Sequence, residues 1–137
     1  MLRIETRSRA RALQMLYAWE MQGRHAMPLV ATGLARLTGP EPLILDRAEA
    51  LAAGVAADIE SLDAHMARAS DNWRMSRIAV VERNILRLGI LELCRGEVPP
   101  KVAIDEAVKL AHWFGGARAP GFINGVLDGI ARALGRL

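Results

Sequence analysis

The chain is poor in cysteine and has no long apolar run. Cys94 is the single cysteine among 137 residues, so an intramolecular disulfide and a cysteine-based zinc site are both excluded. With no second thiol to pair with, we expect Cys94 to be a reduced thiol buried in the core. No apolar run approaches the roughly 18 residues that cross a bilayer. The N-terminal segment also lacks the continuous apolar stretch of a secretory signal, so we expect a cytoplasmic protein with no membrane association.

Aromatic residues are scarce as well, at 4% of the chain, whereas hydrophobic residues make up 52% and charged residues 24%. This composition is ordinary for a globular protein and excludes disorder. The abundance of alanine and leucine favours helices over strands. The length predicts a single domain that spans residues 1–137.

Charge is distributed unevenly along a chain whose net charge is +3. Residues 1–40 carry a net charge of +4, residues 41–72 of −5, and residues 73–137 of +4. Sixteen of the 18 basic residues are arginines, whose planar guanidinium suits phosphates and bases. A GC-rich genome also favours arginine, so the arginine content alone does not establish anion binding. The basic ends of the chain are therefore only candidates for it.

The spacing of apolar residues marks about seven helical segments, and no segment alternates with the period of two that a strand shows. The clearest segments cover residues 6–21, 28–37, 43–66, 77–95, 102–114 and 120–135. Ser76 is placed to cap the fourth, which is apolar around most of its circumference and is therefore predicted to be central and buried. The third carries an acidic face that we expect to be solvated. It consists of Asp46, Glu49, Asp58, Glu60 and Asp63.

Residue patterns typical of catalysis are missing. His25, His65 and His112 lie far apart with no metal-ligand spacing, and neither a nucleophile elbow nor a phosphate loop occurs. We therefore expect no enzymatic activity, no catalytic residue, no cofactor and no metal.

Three features are candidates for binding a ligand, and each can also be explained by a purely structural role. Arg3, Arg7 and Arg11 share one helical stripe, which fits a phosphate backbone and equally fits a solvated helix face. The glycine-rich segment 115–121 places Arg118 at the start of a helix, where backbone N–H groups attract anions. The glycines of this segment are equally typical of an ordinary helix cap and turn. Tyr17 and Phe122 are suited to stacking on unpaired bases or to core packing, and Tyr17 has the polar tip.

Four motifs in order resemble those of the transcription antitermination factor NusB family. They are RARALQMLYAWE at 9–20, ERNILRLGILEL at 82–93, VPPKVAIDEAVKLA at 98–111 and FINGVLD at 122–128. The resemblance covers nearly the whole chain and is weakest at residues 23–50. It implies a single NusB-like RNA-binding domain with a compact all-α fold of two perpendicular helical bundles.

The resemblance also implies partners. They are boxA single-stranded RNA of ribosomal RNA leader transcripts, the small-subunit ribosomal protein NusE, and the RNA polymerase antitermination complex that suppresses premature termination. Some members of the family form homodimers, so a homodimer is a further possibility.

Residues that match the family's motifs take over its roles as expectations. Arg7, Arg9, Tyr17 and Phe122 match RNA-contacting positions, and the stripe adds Arg11. Glu82 and Arg83 lie on the helix associated with the partner surface and are expected to bind the partner. Arg118 stands where an acid is common, and Gly121 where a lysine is common. We expect Arg118 to strengthen RNA binding, because a positive charge favours phosphate contact.

Two other functions remain open at this point. A NusB-like helical protein-binding or dimerisation scaffold would tolerate neutralisation of Arg7, Arg9 and Arg11. An isolated relative of the NusB-like domain of RNA cytosine methyltransferases would need a catalytic domain, which these 137 residues do not supply.

Overall fold

The computed structural model describes residues 3–24, 26–39, 41–69 and 75–137. Within these ranges the chain forms seven α-helices, one 3-10 turn at Met75–Arg77 and no strand, which confirms the predicted all-α class. The helices are α1 (Ile4–Met21), α2 (Met27–Thr38), α3 (Pro42–Ala57), α4 (Ile59–Ala69), α5 (Val80–Arg95), α6 (Pro100–Phe114) and α7 (Ala119–Ala133). None of these helices combines the length and the apolar character that crossing a membrane requires.

The contacts divide the chain into two compact units, Met1–Ala57 and Asp58–Leu137. In the first unit α1, α2 and α3 pack against one another, with α1 mainly on α3. Ala48 and Ala52 of α3 are fully buried, as is Ala12 of α1. Because these side chains are small, they allow the helices to approach closely.

The second unit is built around α5, which packs against α4, α6 and α7. Every residue from Asn84 to Leu93 is buried, which confirms the prediction that this helix is central. In α7, by contrast, the buried positions Ile123, Val126, Leu127 and Ile130 follow the spacing of a one-sided helix.

An arginine lies inside this second core. Arg87 of α5 is 3% exposed and donates from Nε and Nη2 to the two carboxylate oxygens of Asp63 in α4, at 2.7 and 3.0 Å. Its Nη1 donates to the Asn84 side-chain oxygen at 2.9 Å. A buried guanidinium needs such partners, so the pair fixes where α4 lies on α5. The prediction that Asp63 belongs to a solvated face is therefore wrong.

The predicted helix over 43–66 is in fact two helices. α3 ends at Ala57 and α4 begins at Ile59, with a turn at the exposed Asp58. Val55 and Leu62 are both buried and lie seven residues apart in the sequence, so the apolar spacing continues across the break. Periodicity alone cannot detect an interruption that keeps the phase.

The start of α5 also differs from the prediction. Ser76 lies in the 3-10 turn and does not cap the helix, which begins only after Ala79 adopts an extended conformation (φ −61°, ψ 151°). Arg83 Nη1 donates to the carbonyls of Met75 and Ile78, at 3.3 and 3.2 Å. These hydrogen bonds fix the 3-10 turn as a separate element beside the start of α5. The local sequence does not predict them.

Cys94 is exposed, which corrects the expectation of a buried thiol. It follows directly on the buried run that ends at Leu93. Partial burial of the sulfur raises the pKa of the Cys94 thiol, and Asp58 adds to the rise while Arg136 opposes it. A thiol with a raised pKa stays protonated at neutral pH and is a poor nucleophile.

We expect Asp63→Ala to lower the free energy of unfolding by about 2 kcal/mol, because it removes the carboxylate that accepts two bonds from Arg87. The loss is smaller than the roughly 3–5 kcal/mol of a fully buried pair, since the Asp63 side chain keeps 30% exposure. Urea denaturation followed by circular dichroism measures it. The exposed Glu60 on the same helix supplies the control, and Glu60→Ala should cost less than about 1 kcal/mol. Equal losses in the two variants would contradict a specific role for Asp63.

Candidate nucleic-acid interface

Tyr17 is the most accessible of the candidate residues on α1. Its side chain is 44% exposed, whereas the preceding Leu16 is fully buried. The buried neighbour anchors α1 at this point, so the tyrosine ring is presented from a rigid element. An exposed ring on a fixed helix is suited to stacking on an unpaired base.

The predicted arginine stripe is present on α1, but most of it is engaged within the protein. Arg7 is half-buried and forms an ion pair with Glu41, which precedes α3. Arg11 is half-buried and donates to the Gln14 side chain at 2.9 Å. Arg3 is exposed. A phosphate at Arg7 would therefore exchange places with a carboxylate.

Arg9 occupies a different environment. It is 7% exposed and engaged in interactions inside the protein. Arg9 lies four residues before the buried Leu13 and seven before the buried Leu16, so helical spacing places it on the inner face of α1 and off the arginine stripe. RNA contact by Arg9 stays a prediction.

Three candidates from the second half of the chain come together. Arg118, Phe122 and Glu82 line one cavity of about 480 Å³ between the start of α5 and the start of α7. The other lining residues are Arg77, Ile78, Ala79 and Ala119. Arg118 is exposed and Phe122 is half-buried in the first turn of α7. Sequence reasoning missed Arg77, which lies in the 3-10 turn that was predicted as helix.

Glu82 and Arg83 each hold a segment that borders this cavity. The Gly116 N–H donates to Glu82 Oε1 at 3.2 Å and so ties down the segment between α6 and α7. Arg83 holds the 3-10 turn through its two carbonyl contacts. Both residues were predicted to bind a partner. That role stays a prediction, and the structure adds an internal one.

Gly115 permits the tight connection that brings Arg118 to the cavity. A Cβ atom at this position would lie 2.6 Å from the Ala119 Cβ and 2.9 Å from the Ala111 carbonyl oxygen. Any larger residue would push the end of α6 away from the start of α7. The glycine is therefore required by close packing between two helix ends.

Histidines take no part in a cluster of metal ligands within the described ranges, where no three His, Cys, Asp or Glu side chains converge. His65 contacts Arg68 at 3.2 Å and lies 3.9 Å from the Cys94 sulfur. His112 is exposed on α6, and His25 lies outside the described residues.

Comparisons with known proteins agree across almost the whole chain. The pattern of the NusB family matches residues 6–132. The transcription antitermination protein NusB of Sorangium cellulosum (strain So ce56) is 47% identical over 130 residues, which cover 94% of this chain and 92% of that protein. Two solved structures are similar. The crystal structure of the antitermination factors NusB and NusE in complex with double-stranded RNA has a TM-score of 0.84, 26% identity, and coverage of 97% of this chain and 99% of that one. The solution structure of NusB from Aquifex aeolicus has a TM-score of 0.81, 26% identity, and coverage of 96% and 90%.

We expect Glu82→Ala to speed amide hydrogen exchange at Gly116 about fivefold, because a net hydrogen bond of about 1 kcal/mol is lost. Glu82→Gln keeps the accepting oxygen and should change exchange less. Exchange measured by NMR also tests the exposed Glu97→Ala as a control, which should leave Gly116 unchanged. If both alanine variants behave like the wild type, Glu82 does not hold this segment.

Proposed function

The chain belongs to the NusB family, and from this membership we propose that it binds boxA single-stranded RNA of ribosomal RNA leader transcripts together with NusE. NusB proteins act in transcription antitermination and are not enzymes, which confirms the prediction that the chain has no catalytic activity. The proposed complex suppresses premature termination by RNA polymerase. We also propose that the protein acts in the cytoplasm and that its 137 residues work as a single functional domain.

The observation that carries the proposal is the likeness to NusB in a complex with NusE and double-stranded RNA, over 97% of this chain. The chain's own residues support it independently. Tyr17 offers an exposed ring in the first unit, and Arg118 and Phe122 line a cavity in the second. Aromatic rings and arginines are the groups that bind single-stranded RNA, through stacking and phosphate contact.

The mechanism we propose is binding without chemistry. RNA bases stack on Tyr17 and Phe122, while Arg7, Arg9, Arg11 and Arg118 supply positive charge for the phosphates. NusE contributes a second RNA surface, so the affinity for RNA rises when both proteins are present. We propose that Glu82 and Arg83 form part of the surface that binds NusE. In the absence of partners, the protein is proposed to be either a homodimer or a monomer.

The central test is fluorescence anisotropy of a labelled boxA RNA, titrated with this protein with and without NusE at two salt concentrations. We expect tighter binding with NusE, a preference over a scrambled RNA and over a double-stranded competitor, and weaker binding at higher salt. Tyr17→Ala should weaken binding by about five- to 150-fold, because stacking on one base contributes about 1–3 kcal/mol.

Two variants control this test. Tyr17→Phe keeps the ring and should bind like the wild type. Met21→Ala removes an apolar side chain that is 62% exposed on the same helix but cannot stack, and it should also have no effect. Absence of RNA binding with and without NusE would overturn the proposal and leave the protein-binding scaffold as the better description.

We also expect Glu41→Gln to tighten RNA binding by up to about fivefold, since an exposed ion pair contributes at most about 1 kcal/mol. In the wild type a phosphate must displace the Glu41 carboxylate from Arg7. The gain should disappear in the Arg7→Gln background, which the same anisotropy titration measures. A gain that persists without Arg7 would show that Glu41 acts through general repulsion.

A further inference from the structure

We propose that the outer face of α2 binds the same face of a second copy of this chain, with the two helices antiparallel and crossing at Gly33. The outer face is the exposed side of α2 and is formed by Leu29, Thr32, Gly33, Arg36 and Leu37. None of the four motifs that resemble the family includes this helix. The proposal concerns the free protein and does not rest on the binding of RNA or NusE.

Two leucines of the outer face are open to solvent. Leu29 is 72% and Leu37 86% exposed, which are the highest values among the large apolar side chains of the described residues. On the inner face Met27, Val30 and Ala31 are buried, where α2 packs against α1 and α3. The helix is therefore apolar on two sides, and one of these sides is left for a partner outside the unit.

Gly33 lies midway between the two leucines, and no intramolecular contact among the described residues requires it. No heavy atom of these residues lies within 4 Å of the Cβ that another residue would place there. Its backbone is helical, so no left-handed turn requires a glycine either. A glycine inside a helix destabilises that helix relative to alanine. Close approach of a second backbone gives the glycine a function at this position.

The spacing of the outer face is symmetric about Gly33. Leu29 lies four residues before it and Leu37 four residues after it, about 6 Å away in each direction along the helix axis. Four residues turn a helix by about 40°, so the three positions share one side. In an antiparallel pair that crosses at Gly33, Leu29 of each copy faces Leu37 of the other. Such a contact is isologous, as a two-fold dimer requires, and it covers all four leucines.

The charges of α2 are compatible with this pairing. Arg36 is the one charged residue of the helix. The two copies of Arg36 lie on opposite sides of the crossing, about 9 Å apart along the axis, which is roughly one Debye length. Antiparallel order also places the positive N-terminus of each helix beside the negative C-terminus of the other. A nucleic acid fits this face poorly, because a single cation cannot follow a phosphate backbone.

The size of the face sets the strength of the dimer. α2 has 12 residues and is about 18 Å long, and a crossing with a second α2 covers only part of that length. A stable interface buries roughly 800 Å² on each partner, which is far more than one short helix offers. We therefore expect a weak dimer that is in equilibrium with the monomer and is populated only at high protein concentration.

The first test is sedimentation equilibrium of the free protein between about 10 μM and 1 mM, a range that detects dissociation constants up to the millimolar level. The average mass should rise from that of one chain toward that of two chains and no further, because an isologous contact closes at two copies. A monomer at every concentration overturns the proposal. Growth beyond a dimer overturns it as well, because it indicates a head-to-tail contact.

The second test determines the register through two charge substitutions. Leu29→Glu and Leu37→Lys each place a charge at the contact, and each should raise the dissociation constant at least about tenfold. In the proposed register a chain of one variant pairs with a chain of the other through one ion pair and one contact between leucines. An equimolar mixture at low salt should therefore recover the dimer that neither variant forms alone. Loss of the dimer without recovery on mixing contradicts the antiparallel register, and dimers that persist in both variants place the interface elsewhere.

The two charges suit their helix ends, since glutamate lies near the N-terminus and lysine near the C-terminus, and circular dichroism checks that the fold is kept. Val102→Glu is the matched control. Val102 is exposed and, like Leu29, is the third residue of a helix with proline in its first turn. The control should leave the dimer unchanged. An equal loss with Val102→Glu would show an effect of net charge and contradict a contact at Leu29.

Gly33→Leu distinguishes close packing from general apolar association. The leucine favours the helix, so the monomer should unfold at a higher temperature than the wild type. Its side chain keeps the two backbones apart, so the dimer should weaken although apolar surface has been added. A dimer that becomes tighter in this variant would contradict the crossing at Gly33.

NusE is the alternative occupant of the outer face. If the wild type stays monomeric and Leu29→Glu weakens the binding of NusE, the face belongs to NusE and the proposal is wrong. The mass measurements contain neither RNA nor NusE, so they are independent of the proposed function. Failure to bind boxA RNA overturns that function alone, whereas failure to form the dimer overturns this inference alone.

Discussion

The pairing of Arg87 with Asp63 is the constraint on which the second unit depends. A guanidinium inside an apolar core must have its donors satisfied, and here α4 supplies the carboxylate and Asn84 a further oxygen. Apolar packing alone would tolerate α4 at several positions along α5. The two directed hydrogen bonds from Arg87 to Asp63 form at only one of these positions. With α5 held in this way, its first turns are fixed in space, and these turns hold both borders of the candidate cavity.

Local patterns of the sequence were sufficient wherever burial followed helical spacing. The central position of α5 followed from its all-round apolar character, and the buried face of α7 from its spacing. The same reasoning failed where a long-range contact decides the outcome. Asp63 is indistinguishable in sequence from its solvated neighbours, because its partner Arg87 lies 24 residues away. The break at Asp58 preserves the apolar phase, so no periodic signal marks it.

The same distinction separates the residues of the candidate site that the sequence predicted from those that it did not. Glu82 and Phe122 were selected from motifs and Arg118 from the glycine-rich segment 115–121, and the structure brings all three to one cavity. Arg77 was not selected, because its position depends on bonds from Arg83 to backbone carbonyls, which leave no trace in a motif. Arg9 was selected from its match to the family's motif and not from the stripe of Arg3, Arg7 and Arg11, and the structure buries it. A helical stripe predicts which side chains share a face, and the packing of other helices decides which of them remain open to a ligand.

The attachment of both cavity borders to Glu82 and Arg83 has an entropic consequence. The 3-10 turn and the segment before α7 are ordered when the protein folds, so the conformational freedom of their backbones is already lost before a ligand arrives. Binding is then opposed mainly by the ordering of the arginine side chains and of the ligand itself. A preorganised site of this kind gains selectivity from shape and loses the ability to adapt.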